Sequence, residues 1–279
     1  MKLVAGIIQT RTGLDPAANA ASLAQAADRL AVRGAGIIFT PEMCGVLDRD
    51  SKRLLATAGT EADEPTLAAL RAVARHRGVA ISIGSLAIRH DAGKLANRGF
   101  VIGADGAILA RYDKMHLFDV DLPNGDRYRE SASFVAGEQV QLAELPWGRL
   151  GLTICYDVRF PQLHIALAGA GAAVIAQPAA FTVPTGEAHW HVLLRARAIE
   201  TGAFVVAAAQ CGLHEDGRET FGHSLAIDPW GRVLLDMGGD PGEAIVELDL
   251  GMVQEARARI PNLRHARPLA APSIAEGAA

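Results

Sequence analysis

Cys155 follows the apolar run Leu152, Thr153 and Ile154 and precedes the polar, kinked stretch from Tyr156 to Pro161. A lone thiol where a buried strand gives way to a turn is well placed to act as a nucleophile. Two other apolar runs also end in charge. Residues 37–40 lead through Pro41 to Glu42, and residues 110–113 lead to Lys114. A neutral thiol attacks poorly near pH 7 and needs a base or a depressed pKa. Glu42 can be that base, because Pro41 ends its strand and leaves the next residue at the rim. Lys114 can hold a developing oxyanion, worth roughly a few kcal/mol of barrier in a site partly closed to water. The backbone N–H of Tyr156, directly after the nucleophile, is a natural second donor.

Each residue also has a plainer reading. Glu42 can be a surface carboxylate, Lys114 a solvated loop charge and Cys155 a small core residue, since free cysteine is commonly buried. Three reactive types at the rims of separate strands favour the joint reading. Cys44 and Cys211 serve as controls, read as a packing filler and a strand-end packing residue. His116 and His164 could pair with the thiol, but Glu42 has the stronger placement. His189 and His191 have the alternate spacing of strand-borne metal ligands. Their segment reads as helix, where such positions diverge, and no Cys, Asp or Glu completes a set at recognisable spacing. Gly169 and Gly171 lack the third glycine and the later acidic residue of a dinucleotide site. No metal and no cofactor are therefore expected.

The elements that must position these groups alternate from end to end. Strands are predicted over residues 2–9, 36–40, 79–87, 99–104, 107–112, 149–155, 172–177, 203–209, 223–228, 232–236 and 243–249. Helices are predicted over 16–33, 62–77, 161–169 and 186–201. Asp15 and Pro16 form a helix-start signal, and residues 104–107 and 228–231 read as hairpin turns. Residues 118–138 form the one long loop-like stretch. Hairpin-linked strands imply antiparallel pairs and helix-linked strands imply parallel ones, so one α/β domain with mixed sheets and outer helices is expected. Residues 30–41 also echo residues 167–178: a helix end, a Gly-Ala turn, a buried strand and a stopping proline. If the echo reflects pseudo-symmetry, Glu42 and residues 179–182 share a rim.

With 279 residues, half of them apolar, the chain can bury a sizeable core. Its net charge of −4 and pI of about 6.1 argue against nucleic acid or an anionic membrane as partner. No secretory signal or membrane-spanning run is visible. Three cysteines without a Cys-x-x-Cys pair argue against a disulfide framework and for a reducing, cytoplasmic location.

The segments around the three reactive residues resemble the nitrilase superfamily of carbon–nitrogen hydrolases, over about residues 2–268. Residues 40–43 resemble its glutamate segment, 112–118 its lysine segment and 152–161 its cysteine segment. Residues 189–200, 207–210 and 222–231, with 119–121 and 129–131, point to the Nit group. Within it the closer likeness is to the deaminated-glutathione amidase type, with the ω-amidase type second. The resemblance implies a four-layer α-β-β-α sandwich over residues 1–268, and the Ala-, Pro-, Gly- and Ser-rich composition of residues 269–279 implies a flexible tail. It implies a homodimer or higher oligomer paired through the helix at 186–201 and the helix after the cysteine. It also implies a thioester mechanism on a primary amide with release of ammonia, Glu130 as a second glutamate that positions Lys114 or substrate, and Arg159 with Thr182 at the substrate carboxylate. Arg159 could instead pair with Asp157 or Asp121, and Glu130 could be a surface charge. A nitrile or N-carbamoyl hydrolase, an acyltransferase and a catalytically idle binding member remain the alternatives.

Overall fold

Ile7 and Ile8 point in opposite directions, as strand geometry requires, and the division runs through the whole molecule. Ile7 and Phe39 join a core shared with Leu150, Val174 and Val205, whereas Ile8 and Ile38 pack with Leu23, Leu30, Leu67 and Leu70. The computed structural model describes residues 1–279 apart from 92, 122–124, 126, 270 and 272–279. Its first sheet runs in the order Gly242–Asp249, Lys2–Gln9, Ile37–Phe39, Ala80–Arg89, Leu95–Ile102, Ile108–Asp113, with Phe134–Val135 beside Leu95–Ile102. The second runs Val233–Asp236, Leu225–Ile227, Phe204–Ala207, Ala172–Ala176, Gly148–Leu152, Leu142–Leu145. Helices Pro16–Val32 and Pro65–Arg77 cover the outer face of the first sheet; Pro161–Gly169 and Val183–Thr201 cover the second. The result is an α-β-β-α sandwich, as the resemblance implied.

The two halves repeat one plan. Each sheet has three adjacent parallel strands, flanked by antiparallel neighbours. Gly6 in one half and Gly151 in the other each face a leucine of the following helix. A Cβ on Gly6 would lie 3.1 Å from Leu30 Cδ1, and one on Gly151 would lie 3.1 Å from Leu167 Cδ1. The helices can therefore sit close only because those strand positions lack a side chain. This matches the echo seen between residues 30–41 and 167–178.

Most predicted elements occur with shifted bounds: 203–209 contracts to Phe204–Ala207 and 149–155 to Gly148–Leu152, whereas 99–104 becomes the longer Leu95–Ile102. Helix 186–201 begins earlier, at Val183, and helix 62–77 begins at Pro65, where the Glu64 side chain accepts the Leu67 N–H. Helices Ser51–Thr57, Gly251–Arg259 and Asn262–His265 were not predicted. The loop-like stretch 118–138 contains a two-stranded ribbon, Asp119–Asp121 with Arg127–Arg129, and a turn at Glu130–Ala132. Both predicted hairpin turns close, through Gly103 N–H to Ala107 O and Asp228 N–H to Arg232 O. Apart from Leu269 and Ala271, the expected tail lies outside the described residues.

Candidate active site

Glu42 is carried out of the Ile37–Phe39 strand by a segment that cannot move. Thr40 N–H bonds Ser82 O, Thr40 Oγ1 accepts the Gly84 N–H at 3.0 Å, and Gln210 Nε2 donates to Glu42 O at 2.9 Å. Gly84 is required by this approach, since a Cβ there would fall 2.2 Å from Thr40 O and 2.3 Å from Pro41 O. Met43 follows with a φ of +54°.

Cys155 lies beyond the parallel strand Gly148–Leu152 of the other sheet, with a φ of +50°. A left-handed conformation is costly for a residue with a Cβ, so the surroundings must hold it. The Cys155 N–H donates to Pro178 O at 2.8 Å, and Gln177 Nε2 donates to Cys155 O at 3.1 Å. Asp157, fully buried, accepts from Tyr112 Oη at 2.7 Å, from the Ile154 N–H at 2.9 Å and from the His116 N–H at 3.1 Å, with His116 Nδ1 at 2.7 Å. One carboxylate therefore pins the nucleophile turn to the strand that ends just before Lys114.

The three reactive residues meet across the seam between the sheets. Lys114 Nζ lies 3.0 Å from Glu42 Oε1 and 2.8 Å from Glu130 Oε2. Asn97 Nδ2 donates to Glu42 Oε1 at 3.0 Å and to Glu130 Oε1 at 3.1 Å, and the Ala180 N–H donates to Glu42 Oε2 at 2.8 Å. That last bond places Glu42 and residues 179–182 on one rim. Cys155 lies beside the Glu42 carboxylate, close enough for each to shift the other's pKa. Glu42, Lys114, Glu130, Cys155, Tyr156 and Thr182 all line one cavity of about 330 Å³, a volume suited to a small molecule.

The electrostatics fix the protonation states. Burial works to raise the Glu42 pKa, but the Lys114 ammonium and hydrogen bonds from Cys155, Lys114 and Asn97 outweigh it and hold the carboxyl below its usual value. Burial likewise opposes the charge on Lys114, and Glu130 and Glu42 reverse the balance, so the ammonium persists well above the usual lysine range. Cys155 is pushed well above the usual thiol value by burial and by the Glu42 carboxylate, with Lys114 opposing. At neutral pH the site thus holds a carboxylate, an ammonium and a neutral thiol. Adding a thiolate beside two carboxylates would leave a buried excess of negative charge. Cys44 and Cys211 are burial-shifted to about 12 and about 11, with no base aimed at either.

The other predicted residues fall at different depths. Thr182 is buried at the start of helix Val183–Thr201, its hydroxyl 2.8 Å from that of Thr185. Tyr156 packs edge-on against Phe118 and Phe160. Arg159 is not among the residues lining the cavity. It lies over two of them, 5.5 Å from the Phe181 ring and 5.9 Å from the Tyr156 ring, with both terminal nitrogens 3.3 Å from His189 Nδ1. It pairs with neither Asp157 nor Asp121, whose partners are Tyr112 and His116 in one case and Arg127 and Arg129 in the other. His189 and His191 do not converge. His191 and His223 instead each lie 2.9 Å from Asp236, away from the cavity. Asn97 was missed, and its one sequence signal is an amide beside Arg98 in a strand whose other residues, Leu95, Ala96 and Gly99–Ile102, are apolar or glycine.

The family model described as carbon-nitrogen hydrolase matches residues 4–258, and the chain belongs to that family. It is an enzyme of the carbon–nitrogen hydrolase class, and among its described residues no helix is long and apolar enough to cross a membrane. The chain is similar to the deaminated glutathione amidase of Synechocystis sp., with 43% identity over 242 residues covering 85% of this chain and 88% of that protein. The C. elegans NitFhit protein has a similar fold, with a TM-score of 0.88 and 33% identity over 95% of this chain and 65% of that longer one. The amidase from Nesterenkonia sp. AN1 is also similar, with a TM-score of 0.76 and 30% identity over 94% of this chain and 98% of that one. That structure is of a Glu-to-Gln variant with acrylamide added to the active-site cysteine.

Proposed function

We propose that residues 1–268 hydrolyse the amide bond of a small carboxylate-bearing acid through a Cys155 thioester. The observation that carries this is the buried Glu42–Lys114 ion pair with Cys155 lining the same cavity. Glu42 takes the thiol proton as sulfur attacks the carbonyl carbon, and the carbonyl electrons move onto oxygen. Lys114 and the Tyr156 N–H hold that oxyanion. Protonated Glu42 gives its proton to the leaving nitrogen, and the carbon–nitrogen bond breaks. A water then loses a proton to Glu42 and attacks the thioester, and the sulfur departs and regains its proton. One carboxylate alternates as base and acid. Because the resting thiol is neutral, proton transfer accompanies attack. Glu130, paired with Lys114 and with the Phe118 N–H at 2.7 Å, is a positioning residue.

Deaminated glutathione, the acid named for the Synechocystis relative, is the favoured substrate, and ω-amides of α-keto acids are the second class. The leaving groups differ. An ω-amide releases ammonia, whereas deaminated glutathione carries a dipeptide on its amide nitrogen and releases that amine. Arg159 and Thr182 are assigned to the keto-acid carboxylate, with Arg159 swinging between the Tyr156 and Phe181 rings to reach it. Val192 and Ile199, exposed on helix Val183–Thr201, support pairing through that helix in a homodimer. Three unpaired thiols agree with a reducing, cytoplasmic setting. The test is keto-acid release from a panel of deaminated glutathione, α-keto acid ω-amides, nitriles and N-carbamoyl compounds, with hydroxylamine present to intercept the thioester. Release from the nitriles alone, or from none, rejects the amidase reading.

A further inference from the structure

In a chain of net charge −4, the cavity is lined by four arginines: Arg49, Arg127, Arg129 and Arg218. Two are already engaged. Arg129 holds Asp121 at 2.9 Å, and Arg127 approaches the same carboxylate at 3.5 Å. The other two are arranged differently. The Arg49 N–H donates to Asp216 Oδ2 at 2.8 Å, and the Arg218 N–H donates to Asp216 Oδ1 at 2.9 Å. The Asp216 side chain is wholly shielded from solvent, and Arg218 Nε stands 3.6 Å from it. One buried carboxylate thus fastens the loop before helix Ser51–Thr57 to the turn between strands Cys211–Leu213 and Glu219–Phe221. Two arginines are brought to the same wall, with one negative charge between them. Asp48, the neighbour of Arg49, is taken by Arg53. The Arg49 guanidinium is exposed and has no ion pair among the described residues.

Position decides which part of a substrate meets this wall. Glu42 must reach the leaving nitrogen in order to protonate it. Arg49 follows Glu42 by seven positions on the same segment and lines the same cavity, and we set the groups on that nitrogen against the Arg49 wall. Guanidinium recognises carboxylate with two parallel hydrogen bonds. We propose that Arg49, supported by Arg218, binds a second substrate carboxylate on the amine side of the scissile amide, so that the enzyme selects amides whose leaving group is a peptide acid. This deepens the amidase reading and rests on it. A primary amide, which leaves as ammonia, offers nothing to this wall.

The test uses the Cys155→Ala enzyme, which binds without turnover, and calorimetric titration with deaminated glutathione and with the same molecule capped as its C-terminal amide. The acid is expected to bind about tenfold or more tightly than the capped form, the scale of a charge-assisted pair. Arg49→Met is expected to erase that preference, Arg218→Met to reduce it and Arg49→Lys to restore part of it. Equal binding of acid and capped amide overturns the assignment, and that measurement needs no arginine variant to fold. Equal weakening of both ligands by Arg49→Met also overturns it. Turnover is read separately on the Cys155 enzyme. A protein that prefers the acid yet hydrolyses neither molecule refutes the amidase reading and retains the anchor.

Discussion

Glu42→Gln separates hydrolysis from sulfur reactivity. The side chain is 4% exposed and the replacement keeps its volume, so the cavity persists. Glu42 Oε1 accepts from Lys114 and Asn97, and Oε2 accepts from the Ala180 N–H. An amide has one acceptor oxygen, so either orientation sets an N–H₂ group against existing donors and leaves no base for the thiol. A general base contributes roughly 10²–10⁴-fold, or about 3–5 kcal/mol, to each step it serves. Glu42 serves thioester formation and its hydrolysis, so kcat/KM and kcat should both fall by about a thousandfold or more. The sulfur moves the other way. The Glu42 carboxylate raises the Cys155 pKa and Lys114 lowers it, so removing the carboxylate leaves the ammonium to favour thiolate. Iodoacetamide labelling of Cys155 between about pH 8 and 9, followed by mass spectrometry, should therefore persist or quicken while hydrolysis is lost. Retained hydrolysis would move the base to another residue. Loss of both activities in a folded variant would show that Glu42 acts by holding the turn instead of by proton transfer.

Lys114→Met should be strongly destabilising, because it leaves Glu42 and Glu130 as buried carboxylates with no ammonium between them. Breaking such a pair costs about 3–5 kcal/mol, read as a fall in Tm. In that variant, burial remains the dominant influence on Glu42 and raises its folded pKa. The deficit should then be smallest below the unfolded glutamate pKa and grow as pH rises through the folded one, and a deficit independent of pH would reject the reasoning. In the native enzyme Glu42 is depressed below its ordinary value of 4.5. Its base form and its contribution to stability therefore both persist above that value and fail only as pH falls through the folded pKa. An acid limb of kcat/KM near the histidine range would point to an imidazole base. Gly84→Ala drives a methyl into Thr40 O and Pro41 O and should cost more than about 3 kcal/mol or abolish folding. Gly169→Ala, with open space around its Cβ, should change stability by no more than about 1 kcal/mol, and chemical denaturation distinguishes the two.

The convergence of Cys155, Glu42 and Lys114 was legible because each ends or follows a predicted strand, and such punctuation survives in one dimension. The sandwich was legible through its strands with buried runs and through the Asp15–Pro16 start of the first helix. Helix Ser51–Thr57 was not, because Leu54 is its only buried residue and no apolar stripe marks it. Arg49 and Arg218 carry no local sign of kinship, since Asp216 joins them across 167 positions from Arg49. Asn97 acquires its role only through Glu42, 55 positions away. Arg159 was assigned from its distance to Cys155 along the chain, whereas its position over the Tyr156 and Phe181 rings is a tertiary property.

Each half of the repeated plan contributes one arm of the reaction, the carboxylate from one sheet and the sulfur from the other. On the proposed mechanism neither layer alone would hydrolyse an amide. A chain whose second half has yet to dock holds a Glu42–Lys114 pair on the first sheet and a cysteine with no base beside it. Catalysis switches on with the closing of the sandwich, so the onset of turnover during refolding is a direct clock for the mating of the two layers.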